Sequence, residues 1–300
     1  MIATGSDFED TDVTVVIPTL AARGRPLERA IASIVAQEGI TARPLVVVNG
    51  ARAAPDILEA LRADARIRLV QIPEAGVSAA RLAGRKLVET DFFAFLDDDD
   101  ELLPRGLARA VEALRLDSTL AAFIANGYRE TGGVRSRCFD GFSDHTDDAL
   151  MDLVRENWLS SAGGVYRSAA VTADILADLP DHLEMTLFAF RLAANHKIVR
   201  VDENAFIVHE DATGRASQTL QYHLKEPDVI RRMEALAKEP ALAHALGLKR
   251  AAALHHCSGV CRQHGHYWRA WAFHLRSLFA RRGWRYVPAT RHLFRLRKRA

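Results

Sequence analysis

Phe92-Phe93-Ala94-Phe95-Leu96-Asp97-Asp98-Asp99-Asp100-Glu101-Leu102-Leu103-Pro104 runs five apolar residues straight into five consecutive carboxylates. A short unbroken apolar run rich in Phe reads as a fully buried central strand, and Pro104 just past the acids suits the start of a helix. The acids then stand at the C-terminal tip of a strand, where open α/β sheets bind ligands. Crowding carboxylates there is unfavourable, since two unit charges about 4 Å apart repel by roughly 4 kcal/mol at an effective dielectric of about 20. A divalent cation with hard oxygen ligands, Mg²⁺ or Mn²⁺, would neutralise them, and Mg²⁺ is typically held by one or two carboxylates plus substrate phosphates. The alternative is a solvated acidic face, although solvated tails are not preceded by Phe-Phe-Ala-Phe-Leu.

Working outward from the acids, strands and helices alternate. Val13–Ile17, ended by Pro18-Thr19, reads as a first buried strand, and Pro26 opens a helix with Leu27, Ile31, Ile34 and Val35 at helical spacing. Pro44–Val48 with the turn Asn49-Gly50 is a second strand, Ile57, Leu58 and Leu61 mark a second helix, and Ile67–Ile72 is a third strand. Ser78 can cap a helix carrying Leu82, Leu87 and Val88 on its apolar side. A helix from Pro104 with Leu107, Val111 and Leu114 leads to a strand at Leu120–Ala125. This alternation predicts an α/β fold with a mostly parallel sheet flanked by helices.

The pattern weakens over 126–160, a length that in a compact domain tends to be functional or mobile. Gly163–Arg167 then reads as a short strand, Ala169–Leu176 and His182–Ala194 as helices, and Lys197–Val201 and Ala205–Val208 as two strands leading into His209-Glu210-Asp211. Beyond Gln218 a helical appendage runs almost to the end, broken at Pro288. The expected organisation is a disordered leader over 1–11, a ligand-binding domain over 12–217 and a basic helical extension over 218–300.

Three hundred residues of ordinary composition describe a globular chain with a substantial core, and a formal net charge of +2 gives no overall argument for a nucleic-acid partner. Charge is unevenly spread, because no Asp or Glu follows Glu239 while Arg281, Arg282, Arg285, Arg291 and Arg295 crowd the end. A polar, acidic start and no apolar run of about eighteen residues give the expectation of a cytoplasmic protein. Three cysteines argue against a disulfide framework. Cys257 and Cys261, one helical turn apart among histidines, allow zinc in principle, but this spacing on an apolar helix more commonly marks core residues.

Taken together, these stretches resemble the family-2 glycosyltransferases, over roughly residues 13–215. Val13–Thr19 and the helix ending Ser33-Ile34-Val35-Ala36-Gln37 are similar to that family's opening strand and helix; Asp97–Pro104 fits its Asp-x-Asp-Asp motif; and Gly76, Ala80, Arg81 and Gly84 fall where it has Gly, Ala-Arg-Asn and Gly, with Leu82 in place of Asn. The resemblance implies a GT-A fold and an inverting transfer of sugar from a nucleotide-diphosphate donor (UDP-, GDP- or dTDP-sugar) to an acceptor hydroxyl, assisted by Mn²⁺ or Mg²⁺. It implies Asp99 as direct metal ligand, Asp97 or Asp98 on the ribose or metal-bound water, Arg81 beside the diphosphate, the base over Thr19 and Asn49, and His209 as a further metal ligand, with Glu210 and Asp211 weaker candidates. Asn49 stands where the family commonly has Asp, and the alternative is that Asn49-Gly50 is only a turn pair.

The general base departs from the pattern. The family usually has a Glu-Asp pair at a helix start with an Arg six residues after the Asp, whereas this chain reads Glu184-Met185 before Arg191. Three readings stay open: Glu184 takes the role, Asp181 or His182 does, or the chain binds nucleotide sugar without efficient transfer. A sugar nucleotidyltransferase is a more distant alternative, since Ala21-Ala22-Arg23-Gly24-Arg25 only faintly echoes a basic phosphate loop, and no Gly-x-Gly-x-x-Gly supports a dehydrogenase. Trp284, Tyr286, Leu293 and Phe294, interleaved with arginines, suit peripheral contact with an anionic membrane, against the alternative of a helical cover for the catalytic domain.

Overall fold

The computed structural model describes residues 11–140, 142, 148–210 and 219–294. The leader expected over 1–11 thus lies, apart from Thr11, outside the described residues, as do Asp211 and the basic residues from Arg295 onward.

Nine strands form one sheet: β1 (Val13–Thr19), β2 (Ala42–Asn49), β3 (Arg68–Ile72), β4 (Phe92–Phe95), β5 (Glu101–Leu102), β6 (Ala122–Thr131), β7 (Val134–Arg137), β8 (Gly164–Arg167) and β9 (Ile198–His209). The order is β3-β2-β1-β4-β8-β6-β9-β5, with β7 on β6. The first half is parallel, β4 sitting against β1 in the register Val13↔Phe92 to Val16↔Phe95. The second half corrects the expectation of a mostly parallel sheet: β8 runs antiparallel to both β4 and β6, and β5 antiparallel to β9. The Gly132-Gly133 hairpin, both glycines at positive φ, makes β7 antiparallel to β6, while β9 lies parallel to β6. The two short strands expected over 197–208 are one strand, β9, which carries the irregularity as extra residues against β6 on either side of the pair Asn126↔Asn204.

Strand periodicity sorts the core. Val13, Val15, Ile17, Phe92 and Ala94 face one side, in a cluster with buried residues of α1 (Gly24–Val35), of α2 (Pro55–Ala63) and of α4 (Gly106–Leu116). Phe93 and Phe95 face the other, their rings packed on Tyr166 of β8 at 5.0 and 5.9 Å. Each fully buried Phe contributes roughly 2 kcal/mol.

On that second face lies α3 (Val77–Lys86), whose buried residues are Ser78, Ala80, Arg81, Gly84 and Arg85. Leu82, Leu87 and Val88, expected to be its inner stripe, are only half-buried. The helix presses on β1 so closely that a Cβ at Gly84 would lie 2.3 Å from Val16 Cγ1, so small residues and two arginines line the contact. Ser78 does not cap the helix; its hydroxyl donates to the Pro180 carbonyl at 2.8 Å. Likewise the helix after Pro104 begins only at Gly106, because Glu101 and Leu102 are drawn into strand pairing with β9. Only Ala173–Leu176 of the expected 169–176 helix forms, as a 3-10 turn.

The chain divides into two compact units, one of 1–149, 157–181 and 191–212, the other of 150–156, 182–190 and 213–300. The first holds the whole sheet. The second gathers α7 (Leu220–Leu236), α8 (Pro240–Gln263), α9 (Tyr267–Leu278) and α10 (Thr290–Phe294), together with most of α5 (Ala149–Arg155) and the start of α6 (Glu184–Asn195).

Candidate active site

From β1 the chain steps outward to β2 and β3, then returns to lay β4 on the other side of β1. The reversal opens a crevice beyond the carboxyl ends of β1 and β4, the place where open α/β sheets bind ligands. Thr19 ends β1, and Asp97 follows β4 by two residues. The Thr19 hydroxyl donates to Asp98 Oδ2 at 2.6 Å across this gap and also receives the N–H of Ala21 at 2.9 Å. That second bond holds Ala21 at φ 50, a left-handed turn that aims the next residues back over the acids.

The acidic run is shared among three arginines. Arg81, 1% exposed, pairs with Asp97 at 2.6 Å, and Ser161 donates to the same carboxylate at 2.8 Å. Arg23 bridges Asp98 at 3.2 Å and Asp99 at 3.1 Å. Arg29 pairs with Glu101 at 2.8 Å and donates to the Asp99 carbonyl at 2.9 Å. The repulsion among these carboxylates is therefore answered in part by the protein's own cations. Arg23, Arg29 and Ser161 escaped sequence reasoning; the Arg23-Gly24-Arg25 stretch was the one signal for the first.

Burial pushes the Asp98 carboxyl above the usual carboxylate range; the Thr19 hydrogen bond opposes this, and the charge of Asp99 adds to it. The run also splits in two. Asp97–Asp99 stay at the crevice, while Asp100, buried, accepts the His209 N–H at 3.2 Å and Glu101 enters β5.

His209 ends β9, and its ring lies between carboxylates, Nε2 at 2.7 Å from Glu101 and Nδ1 at 3.4 Å from Glu130. Its ring partners are thus Glu101 and Glu130. The buried Asn49 amide is engaged by main chain on both sides, donating to Thr19 O and accepting from Gly76 N, each at 2.9 Å. It ties the ends of β1 and β2 to the start of α3, which is a stronger role than a turn pair and leaves less of the amide for a base.

Glu184 is the first residue of α6, directly after Leu183 at φ 61. It lies in the second unit with Tyr222, whose hydroxyl is pushed up by burial and by the charges of Glu184 and Glu226. Met185 is buried. His182 packs edge-on against Tyr222 at 6.0 Å. Asp181, by contrast, belongs to the first unit, with Oδ1 3.4 Å from where a Cβ on Gly76 would stand. Arg191 holds the segment before α6 by donating to the carbonyls of Ile175 and Ala177 at 2.9 and 2.5 Å.

Among the described residues no group of three or more His, Cys, Asp or Glu side chains converges to hold a metal. What is present is a pair of hard carboxylates, Asp98 and Asp99, already bridged by one cationic group. That donor set fits a divalent ion completed by substrate phosphates and does not make a protein-only cage. Zinc does not fit Cys257, whose thiol donates to the His223 carbonyl at 3.1 Å and is pushed up to about 12 by burial.

Residues 14–159 match the model of the family described as glycosyl transferase family 2. A stretch of 102 residues is 35% identical to the succinoglycan biosynthesis protein ExoO of Rhizobium meliloti (strain 1021), and it spans 34% of this chain and 29% of that protein. Among solved structures, S. aureus TarS 1-349 in complex with UDP-GlcNAc is similar with a TM-score of 0.61 at 15% identity, over 83% of this chain and 81% of that one. The same TarS segment in complex with UDP gives 0.55 at 16% identity, over 80% and 70%. At such identities the likeness establishes the fold.

Proposed function

We propose, from the match of residues 14–159 to glycosyl transferase family 2, that the chain is a member of that family and moves a sugar from a nucleotide-diphosphate donor to an acceptor hydroxyl with inversion. The observation that carries the reading is the placement of Asp97, Asp98 and Asp99 at the switch point between β1 and β4, bonded to Thr19, Arg23 and Arg81. In this reading the nucleotide lies over the ends of β1 and β2, with Thr19 and the Asn49 strut shaping its floor. Asp99 and Asp98 hold Mn²⁺ or Mg²⁺, which when bound supplies Lewis-acid stabilisation of the leaving diphosphate. His209 joins that shell only by leaving Glu101. Arg81 holds Asp97 in place, and Arg23, half exposed, can move from the carboxylates to the diphosphate as the donor enters.

Glu184 takes the proton of the acceptor hydroxyl as its oxygen attacks the anomeric carbon and the bond to the diphosphate breaks on the opposite side. The positive φ of Leu183 turns the chain sharply just before Glu184, and as the first two residues of α6 Glu184 and Met185 point about 100° apart. Asp181 beside Gly76 is the second choice, favoured by its place in the unit that holds the acids. A chain that binds nucleotide sugar without efficient transfer is the rival reading, favoured by the buried Met185.

Thermal unfolding with UDP, GDP and dTDP, each with and without Mn²⁺, tests the binding half. One nucleotide should stabilise the fold in a metal-dependent way, by about 2.7 kcal/mol at a hundredfold excess over Kd; no shift with any of them, with or without Mn²⁺, would refute it. Turnover of the matching sugar nucleotide tests the rest. Glu184→Gln should slow it by about 10²- to 10⁴-fold while keeping the thermal shift, whereas binding without any wild-type turnover selects the rival.

A further inference from the structure

Helix α9 is inside out. At helical spacing Trp268, Ala272, Leu275 and Phe279 fall within an arc of about 60°, and all four are exposed, Trp268 by 89% and Phe279 by 90%. The opposite side carries Ala270, His274 and Ser277, all buried, with His274 Nε2 2.8 Å from Thr290 Oγ1 and the Ser277 hydroxyl donating to the His274 carbonyl. A surface helix ordinarily turns its apolar stripe inward; here His274 and Ser277 are satisfied inside, Trp271 and Phe273 are partly buried on the flanks, and Trp268, Leu275 and Phe279 face out. Trp284, 74% exposed, follows in the next turn of chain. Contiguous exposed apolar surface of this kind marks an interaction site.

Charge selects the occupant. Residues 240–300 contain no Asp or Glu; Arg269 and Arg276 on α9 and Arg282, Arg285 and Arg291 after it are exposed, and among the described residues Arg276 has an acid, Asp228, at 4.0 Å. A second copy would bring an equally basic surface against this one, which repels. Trp, Leu and Phe bordered by arginines match the interface of an anionic bilayer, where aromatic rings enter the headgroup layer and guanidinium groups stay among the phosphates. We propose that α9 lies on an anionic membrane surface through Trp268, Leu275 and Phe279. Of the residues singled out from sequence for this role, Trp284 and Phe294 are exposed, but Leu293 is buried and Tyr286 stacks on His255 at 4.3 Å. The inference is independent of glycosyl transfer.

Co-sedimentation of the full chain with vesicles of phosphatidylcholine alone, or with about a third phosphatidylglycerol, tests it. The chain should bind the anionic vesicles and be released by high salt, with binding lowered roughly fivefold for each of Arg269→Gln and Arg285→Gln. Trp268→Ser with Phe279→Ser should lower it at least tenfold at unchanged Tm, since both side chains are exposed. Equal binding to neutral vesicles, wild-type binding by the double variant, or a dimer in solution that this variant dissolves would each overturn the proposal.

Discussion

Burial holds the Asp98 carboxyl above its ordinary value, against the pull of Thr19 and Arg23. A raised carboxyl binds its proton more tightly in the folded chain than in the unfolded one. Its contribution to stability is therefore present at acid pH and is lost as pH rises through the folded value. Ionised Asp98 weakens the fold at neutral pH, the usual sign of a group kept for chemistry. Asp98→Asn preserves an acceptor for the Thr19 hydroxyl, so Tm should rise slightly at pH 7, and the gain should vanish below the ordinary carboxylate value of 3.8. The same variant should bind nucleotide and Mn²⁺ more weakly. A lower Tm at pH 7 would mean that the ion pair with Arg23 outweighs burial.

At the scale of elements, two glycines in helices predict opposite outcomes for one substitution. Gly84 of α3 faces Val16 and Val47, with an added Cβ meeting Val16 Cγ1 at 2.3 Å. Gly84→Ala would gain about 1 kcal/mol of helix propensity but must push the helix off β1, at a cost of about 1–3 kcal/mol. Urea denaturation should show a net loss of up to about 2 kcal/mol, and nucleotide binding should weaken because Arg81 moves with the helix. Gly259 of α8 has nothing within 4 Å of an added Cβ, so Gly259→Ala should stabilise by about 0.5–1 kcal/mol. Helical spacing placed both glycines in helices, but only packing separates them. For the same reason the inner face of α3 was misread: Leu82, Leu87 and Val88 satisfy the periodic pattern, yet close approach to β1 selected glycine and alanine, and long arginines could reach Asp97 and the carbonyls of Ser168 and Val171.

Across the whole molecule the cysteines report on each unit separately. Cys138 lies in the sheet unit with its thiol pushed up to about 11 by burial, while Cys257 and Cys261 lie in the helical unit, buried in one cluster with Leu224 and Ala270. Maleimide at pH 8 should leave all three unlabelled in the native chain and should label Cys257 and Cys261 together as urea opens their unit; fast native labelling of either would contradict the packing. Neither unit's composition was legible in linear order, since 150–156 and 182–190 join the C-terminal helices. What sequence by itself determined was the parallel half of the sheet and the acidic tip beyond β4, because alternating periodicity, a continuous apolar run and a following proline are local properties of the chain. Tertiary structure alone decided which cations meet those acids and which way β8 runs. Arg23 and Asp98 are 75 residues apart, Ser161 and Asp97 64 apart, and no local rule chooses among the arginines of a chain this long. It also decided that α9 shows its apolar side to solvent, because the inner face of a helix is set by what its neighbours can satisfy, here the hydroxyl of Thr290 for His274.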